Sequence, residues 1–278
     1  MAALRAELGP RRSGRRIGFV PTMGALHEGH LSLLRAARSA CDVVVMSIFV
    51  NPLQFGPGED LDAYPRDEAT DLGLAASNGV DAVFCPPVPE IYPEGAATTV
   101  SVGRLGEVLE GEVRPGHFSG VATVLTKLFN IVEPDAAFFG QKDAQQVAVV
   151  RRMAADLFFD IEIVVCPTVR APDGVALSSR NRYLSAQERP RATALARSLE
   201  AGQEALLRAA GLEVVQRTMW DVLGSEDGVQ PDYAAAVDPA TFRPPVPGGH
   251  ILLAVAARVG STRLIDNRLV DAAGREEG

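Results

Sequence analysis

Four histidines occur in this 278-residue sequence, and two of them, His27 and His30, stand three apart inside PTMGALHEGH, residues 21–30. Imidazoles this close can ligate a metal, hand over a proton or meet a phosphate. HEGH is one residue too short for the zinc-binding H-E-x-x-H helix, and two histidines leave a zinc ion short of ligands. The stretch is not a Walker A loop either, because the lysine of that loop is missing. The flanking residues say more. RIGFVP (16–21) precedes the pair as a short apolar run, and GHLSLLRAARSA (29–40) follows with apolar residues at helical spacing. Gly24 frees the backbone to approach a ligand, and Gly29 lets a helix begin tightly. Such a helix start aims its N–H groups and its positive dipole end at the loop, as a phosphate requires. One polar loop histidine and one helix-start histidine is the plainer alternative. The strand–glycine–histidine–helix context favours the phosphate.

Other polar stretches also follow apolar runs. In FGQKDAQQ (139–146), Lys142 lies where an ammonium can reach a phosphate. Asp143 and Gln146 fit equally well as a variant capping box, which leaves Lys142 and Gln145 unexplained. LSSRNRY (177–183) offers, after Leu177, the two hydroxyls of Ser178 and Ser179 and the two guanidiniums of Arg180 and Arg182, which can fork onto a phosphate or carboxylate. Its alternative is a polar loop before a Ser185-x-x-Glu188 capping box. Arg114 and His117 precede another helix start, a weaker case of the same kind. Asn51 and Gln54 are neutral amides after a strand. His250 starts a strand and reads as structural.

The elements that must position these groups alternate. DVVVMSIFV (42–50), DAVFC (81–85), DAAFFG (135–140) and DIEIVVCPTV (160–169) join RIGFVP as strands; residues 29–40, 66–79, 118–132 and 143–157 read as helices. Nearly continuous apolar strands between amphipathic helices imply a parallel sheet covered on both faces. The expected fold is α/β, a Rossmann-like doubly wound parallel sheet, with its ligands at the carboxyl ends of the strands. After the turn signal APDG (171–174) the character changes. A helical region over about 186–223 is followed by a strand over 232–238 and a hairpin of 250–260 with 262–267 around Gly260-Ser261. Residues 1–169 are therefore expected to form the ligand-binding domain and 170–278 a smaller α+β C-terminal domain.

The net charge of −8 argues against a nucleic-acid surface. No apolar run is long enough to span a membrane, and no apolar h-region follows the basic N-terminus. Cys41, Cys85 and Cys166 are far apart and form no C-x-x-C, which fits a reduced cytoplasm.

Taken together, the stretches PTMGALHEGH, SIFVNPLQFG, DLDAYPRD, EIYPEG, LEGEVRPGHFSGV, FFGQKDAQQ, CPTVRAPDGVALSSRNRYLS and RLIDN resemble the pantothenate synthetase (pantoate–β-alanine ligase) family. H-x-G-H alone is shared with other nucleotidylyltransferases; its combination with the rest is specific. The resemblance implies ATP-dependent ligation of pantoate and β-alanine through a pantoyl adenylate, with AMP and pyrophosphate released. It implies ATP as substrate with Mg²⁺, no protein metal site, and a homodimer. By the same resemblance Met23, Gly24, Ala25, Leu26, His27, Glu28, Gly29 and His30 form the ATP loop, with His30 as proton donor and His27 beside it on the phosphates. Gly140, Gln141, Lys142 and Asp143 line the nucleotide, Lys142 at the phosphates and Asp143 at the ribose. Val169 offers backbone to the adenine, and Leu177 to Arg180 close over the phosphates. Gln54 and Gln146 bind pantoate, and Gln54 also lies near β-alanine. Asn51, Tyr64, Arg114 and His117 are supporting. Two departures stand out: Ala144 replaces a common aromatic residue, and Gln141 a common glutamate. The alternatives are another H-x-G-H nucleotidylyltransferase and a non-catalytic nucleotide-binding protein; a zinc hydrolase is weakest.

Overall fold

The structure, a computed structural model, describes residues 1–276. Its contacts divide the chain into two compact units, one of Met1–Gly140 with Gln145–Cys166, the other of Gln141–Ala144 with Pro167 onward. The chain thus passes to the second unit just before the 169/170 division expected from the sequence. The excursion at Gln141–Ala144 has no counterpart in that expectation.

The first unit holds strands β1 (Ile17–Thr22), β2 (Val43–Ile48), β3 (Ala82–Phe84), β4 (Ala136–Gly140) and β5 (Glu162–Cys166). They form one parallel sheet in the order β3-β2-β1-β4-β5. Its helices are α1 (Ala2–Leu8), α2 (Glu28–Ala40), α3 (Glu68–Ser77), the single turns α4 (Val88–Ile91) and α5 (Glu110–Val113), α6 (His117–Val132) and α7 (Ala144–Asp156). Side-chain alternation divides its core into two layers. Ile17, Phe19, Val43, Val45, Ala137 and Phe139 face one way, toward α1, α6 and α7. Val20, Val44, Met46, Ala136 and Phe138 face the other way, toward α2 and α3. Burial on both faces is why these strands read as unbroken apolar runs. From β1 the chain winds outward through β2 to β3, then returns by way of α4 to α6 and enters β4 on the other side of β1. The strand order therefore reverses between β1 and β4, where open α/β sheets form their binding crevice. β5 is shorter than the run 160–169 suggested because Pro167 ends it.

The second unit holds α8 (Glu188–Arg191), α9 (Thr193–Leu207) and α10 (Leu212–Gly224), then β6 (Val229–Val237), β7 (Ile251–Val259) and β8 (Thr262–Val270). The three strands form an antiparallel sheet, and α9 and α10 cover one face of it. The helical run expected over 186–223 is broken at Ala209, whose φ is +58°, and restarts with Gly211 as N-cap. Ser185 and Glu188 make the two reciprocal bonds of the capping box expected there.

Gly120 on α6 lets the helix lie against the turn after β2. A Cβ at this position would stand 2.3 Å from the Leu53 carbonyl oxygen and 2.7 Å from the Gln54 nitrogen. Backbone atoms yield little, so Gly120→Ala is expected to destabilise the fold by about 1–3 kcal/mol. Urea unfolding measures this; an unchanged midpoint would contradict the packing.

Candidate active site

The chain leaves β1 at Thr22, whose hydroxyl donates to the Ser47 carbonyl at 2.7 Å and accepts from the Gly24 N–H at 3.2 Å. Gly24 takes φ +81°, and a Cβ there would meet an Asp71 oxygen at 2.8 Å. Ala25 follows at φ +52°, a left-handed conformation that costs a non-glycine residue about 1–3 kcal/mol. Asp71 of α3 holds it there. Its carboxylate accepts the N–H groups of Ala25 and Leu26, each at 2.8 Å, and the residue is only 2 % exposed. Sequence reasoning missed Asp71, since an acid in a helix's first turn already has a reason in the dipole.

His27 is the N-cap of α2. Its Nδ1 accepts from the Gly29 N–H at 3.1 Å, and His30 Nδ1 reaches back to the His27 N–H at 3.4 Å. The pair is a capping box built from imidazoles, so the plainer helix-start reading is true of His27 as far as it goes. The cap also orients both rings, whose centroids lie 4.1 Å apart. With both Nδ1 atoms accepting, the neutral rings carry their protons on Nε2. Met23 and Leu26 complete the turn; Glu28 lies on the surface, paired with Arg35.

After β2, Asn51 and Gln54 are both buried. Asn51 Oδ1 accepts from the Tyr92 hydroxyl at 2.7 Å and the Leu53 N–H at 3.3 Å. Its Nδ2 therefore donates, to Gln54 Oε1 at 3.0 Å and the Gly120 carbonyl at 3.1 Å. That fixes the Gln54 amide, which presents its NH₂ toward Met23 Sδ at 3.2 Å. Burial pushes the Tyr92 phenol above its usual pKa, so it stays a donor. Tyr92 too escaped the sequence-derived site, although EIYPEG contains it.

Arg114 and His117 hold the same turn from below. Arg114 forks onto Glu59 at 2.6 and 3.0 Å and reaches the Gln54 carbonyl at 3.3 Å. His117 Nδ1 donates to that carbonyl at 2.8 Å, and its Nε2 accepts from Arg114 at 3.1 Å. Burial first, and the Arg114 charge second, push the imidazole down to about 4. Tyr64 is buried edge-on against Phe55, ring centroids 6.0 Å apart.

Gly140 ends β4, and Gln141–Asp143 form a 3-10 turn. Lys142 Nζ lies 3.8 Å from the half-exposed Asp143 carboxylate. On α7, Gln145 donates to the Leu105 and Val108 carbonyls at 2.9 and 2.8 Å and accepts from the Glu110 N–H. Gln146, beside it, is half-buried. In the second unit the Leu177 N–H donates to the Val169 carbonyl at 2.9 Å, closing a small loop. Ser178 caps the next turn by accepting from the Arg180 N–H at 3.3 Å, and Ser179 is buried.

Known proteins are similar to this chain in sequence and fold. The pattern of the family described as pantoate-beta-alanine ligase matches residues 1–269. A pantothenate synthetase of Acidobacterium capsulatum is 55% identical over 276 residues, covering 96% of this chain and 92% of the relative. One from Moorella thermoacetica is 55% identical over 264 residues, covering 94% and 93%. The crystal structure of pantothenate synthetase from Thermus thermophilus superposes with a TM-score of 0.91 at 49% identity, covering 98% of this chain and 97% of that one. Pantoate-beta-alanine ligase from Francisella tularensis, complexed with beta-gamma ATP and beta-alanine, gives a TM-score of 0.80 at 36% identity, covering 96% and 95%.

The buried partners make two variants informative. His117 binds its proton more weakly folded, near 4, than unfolded, near 6.5. Between those values the unfolded chain holds more protons, so stability is full above pH 6.5 and falls as the pH drops toward 4. The loss amounts to about 3 kcal/mol, and His117→Gln flattens that part of the pH–stability curve. Asp71→Asn keeps the shape but turns a donor toward one of the two backbone N–H groups. Hydrogen exchange at Ala25 and Leu26 is expected to accelerate about tenfold or more; unchanged exchange would remove Asp71 as the holder of the turn.

Proposed function

The chain belongs to the pantoate-beta-alanine ligase family, and we propose that it reaches its product through a pantoyl adenylate formed at the turn carrying His27 and His30. Its reaction is the ATP-dependent joining of pantoate to β-alanine. A free carboxylate is a poor acyl donor, so it must be activated first. A carboxylate oxygen of pantoate attacks the α-phosphorus of ATP, and the bond to pyrophosphate breaks. The amine of β-alanine then attacks the acyl carbon, loses a proton, and AMP leaves with the bridging oxygen.

The observation that carries this reading is the imidazole-capped turn at the start of α2, on the carboxyl edge of the sheet. The first step builds negative charge on phosphate oxygens, which calls for fixed donors and cations rather than a protein nucleophile. His27 and His30 offer Nε2 protons to the phosphates, with His30 as proton donor, and the N–H groups of α2 add the helix dipole. Lys142 supplies a cation, Asp143 meets the ribose, and Gly140 and Gln141 line the nucleotide. Val169 offers its backbone to the adenine, and Leu177, Ser178, Ser179 and Arg180 contact the phosphates. Gln54, presenting its NH₂, and Gln146 bind pantoate, while Asn51, Tyr64, Arg114 and His117 support Gln54. The Gln54 amide also lies near β-alanine.

Among the described residues no group of three or more His, Cys, Asp or Glu is placed to hold a metal ion. Mg²⁺ accompanying the ATP is proposed from the family resemblance alone. Among the same residues no helix is long and apolar enough to cross a membrane. A cytoplasmic location suits the free thiols of Cys41, Cys85 and Cys166. A homodimer is proposed from the family resemblance.

AMP release is the test, measured with all substrates, with pantoate or β-alanine omitted, and with CTP replacing ATP. AMP formation that ignores pantoate would sink the adenylate reading. Lys142→Ala is expected to slow adenylate formation by about 10²–10³, since one well-placed charge on a transition state is worth several kcal/mol. An unchanged rate removes Lys142 from the chemistry.

A further inference from the structure

The stretch RLIDN, residues 263–267, has no role in the reaction as described so far. It lies on β8, where Asp266 and Asn267 are 3% and 5% exposed. Polar side chains buried this deeply need partners. Asn267 finds all of its own in the 3-10 turn of Lys142. Its Nδ2 donates to the Gln141 carbonyl at 3.0 Å and to the Lys142 carbonyl at 2.8 Å, and its Oδ1 accepts from Gln141 Nε2 at 3.0 Å. The Gln141 carbonyl belongs to the peptide plane before the Lys142 Cα, and the Lys142 carbonyl to the plane after it. One amide thus fixes both planes, and with them the direction in which the lysine side chain leaves the backbone.

Asn267 is itself anchored. Asp266 accepts a two-pronged ion pair from Arg170, at 2.6 and 3.0 Å, and also the Asn267 N–H at 2.7 Å. Arg170 further donates to the Asn267 carbonyl at 3.3 Å. A planar guanidinium on a buried carboxylate is a rigid mount.

We propose that Asn267 is a positioning residue for Lys142, setting the backbone from which the ammonium reaches the phosphates. The inference rests on the proposed assignment of Lys142 to those phosphates. A displacement of about 1 Å at a catalytic group costs up to about 10²-fold in rate. Because the loss falls on the transition state, it belongs in kcat rather than in KM.

The test is a double-mutant cycle of Asn267→Ala and Lys142→Ala, with kcat, KM for each substrate, and Tm measured for all four proteins. Asn267→Ala alone is expected to lower kcat by about 10- to 100-fold with KM for pantoate and β-alanine within about twofold. In the Lys142→Ala background the same change is expected to cost less than about twofold, because the group it positions is gone. Should Asn267→Ala fail to fold, Asn267→Asp keeps the volume, turns a carboxylate against two carbonyls, and is expected to lower kcat in the same lysine-dependent way. Equal losses in both backgrounds overturn the proposal, as does a normal kcat for the asparagine variant when Lys142→Ala is slow. A normal kcat for Lys142→Ala overturns instead the assignment of Lys142 to the phosphates.

Discussion

The carboxylate of Asp71 is almost wholly shut off from solvent and takes its hydrogen bonds from two consecutive backbone N–H groups, those of Ala25 and Leu26. A buried carboxylate without such partners would cost several kcal/mol, so the acid and the turn need each other. Each bond to a charged acceptor contributes about 1.5–3 kcal/mol, enough together to offset the left-handed backbone at Ala25. The turn that results points His27 into the N-cap of α2 and brings His30 back over it. Remove Asp71 and the strand would still end at Thr22 and the helix still begin at Glu28. The path between them would lose the anchors of Ala25 and Leu26 and keep only the Thr22 hydroxyl and the histidine cap.

The same logic recurs at Gln54. A glutamine amide can turn either end outward, and the choice decides whether it donates or accepts. Tyr92 and the Leu53 N–H both donate to Asn51, so Asn51 must donate to Gln54, and Gln54 is left presenting its NH₂. Neutral His117 and the Arg114–Glu59 pair fasten the backbone on which that amide sits. The donor polarity of Gln54 is thus set by buried neighbours, which is the preorganisation that the proposed charge-stabilising reaction needs.

Much of this was legible in the residues. Val43 to Ile48 reads as a strand because both of its faces are buried, and α2 and α6 because apolar residues recur at helical spacing. The strand-to-helix turn was legible for the same reason, as a change of period around two glycines. What escaped were partners distant in sequence. Asp71 meets residues 45 and 46 positions away, and Tyr92 one 41 away. Neither belongs to a local pattern. The break at Ala209 escaped because a left-handed alanine leaves no compositional mark. Of the adjacent glutamines, Gln146 drew a role from the family resemblance, while Gln145 turned out to brace the 105–110 segment.

The central claim is that this turn activates a carboxylate by adenylation, and the fate of one oxygen atom tests it most directly. Pantoate labelled with oxygen-18 in its carboxylate is turned over with ATP and β-alanine, and the AMP and pyrophosphate are analysed by mass spectrometry. The account predicts that each AMP carries one labelled oxygen and that pyrophosphate carries none. Unlabelled AMP, with the label in pyrophosphate or released to water, would contradict it.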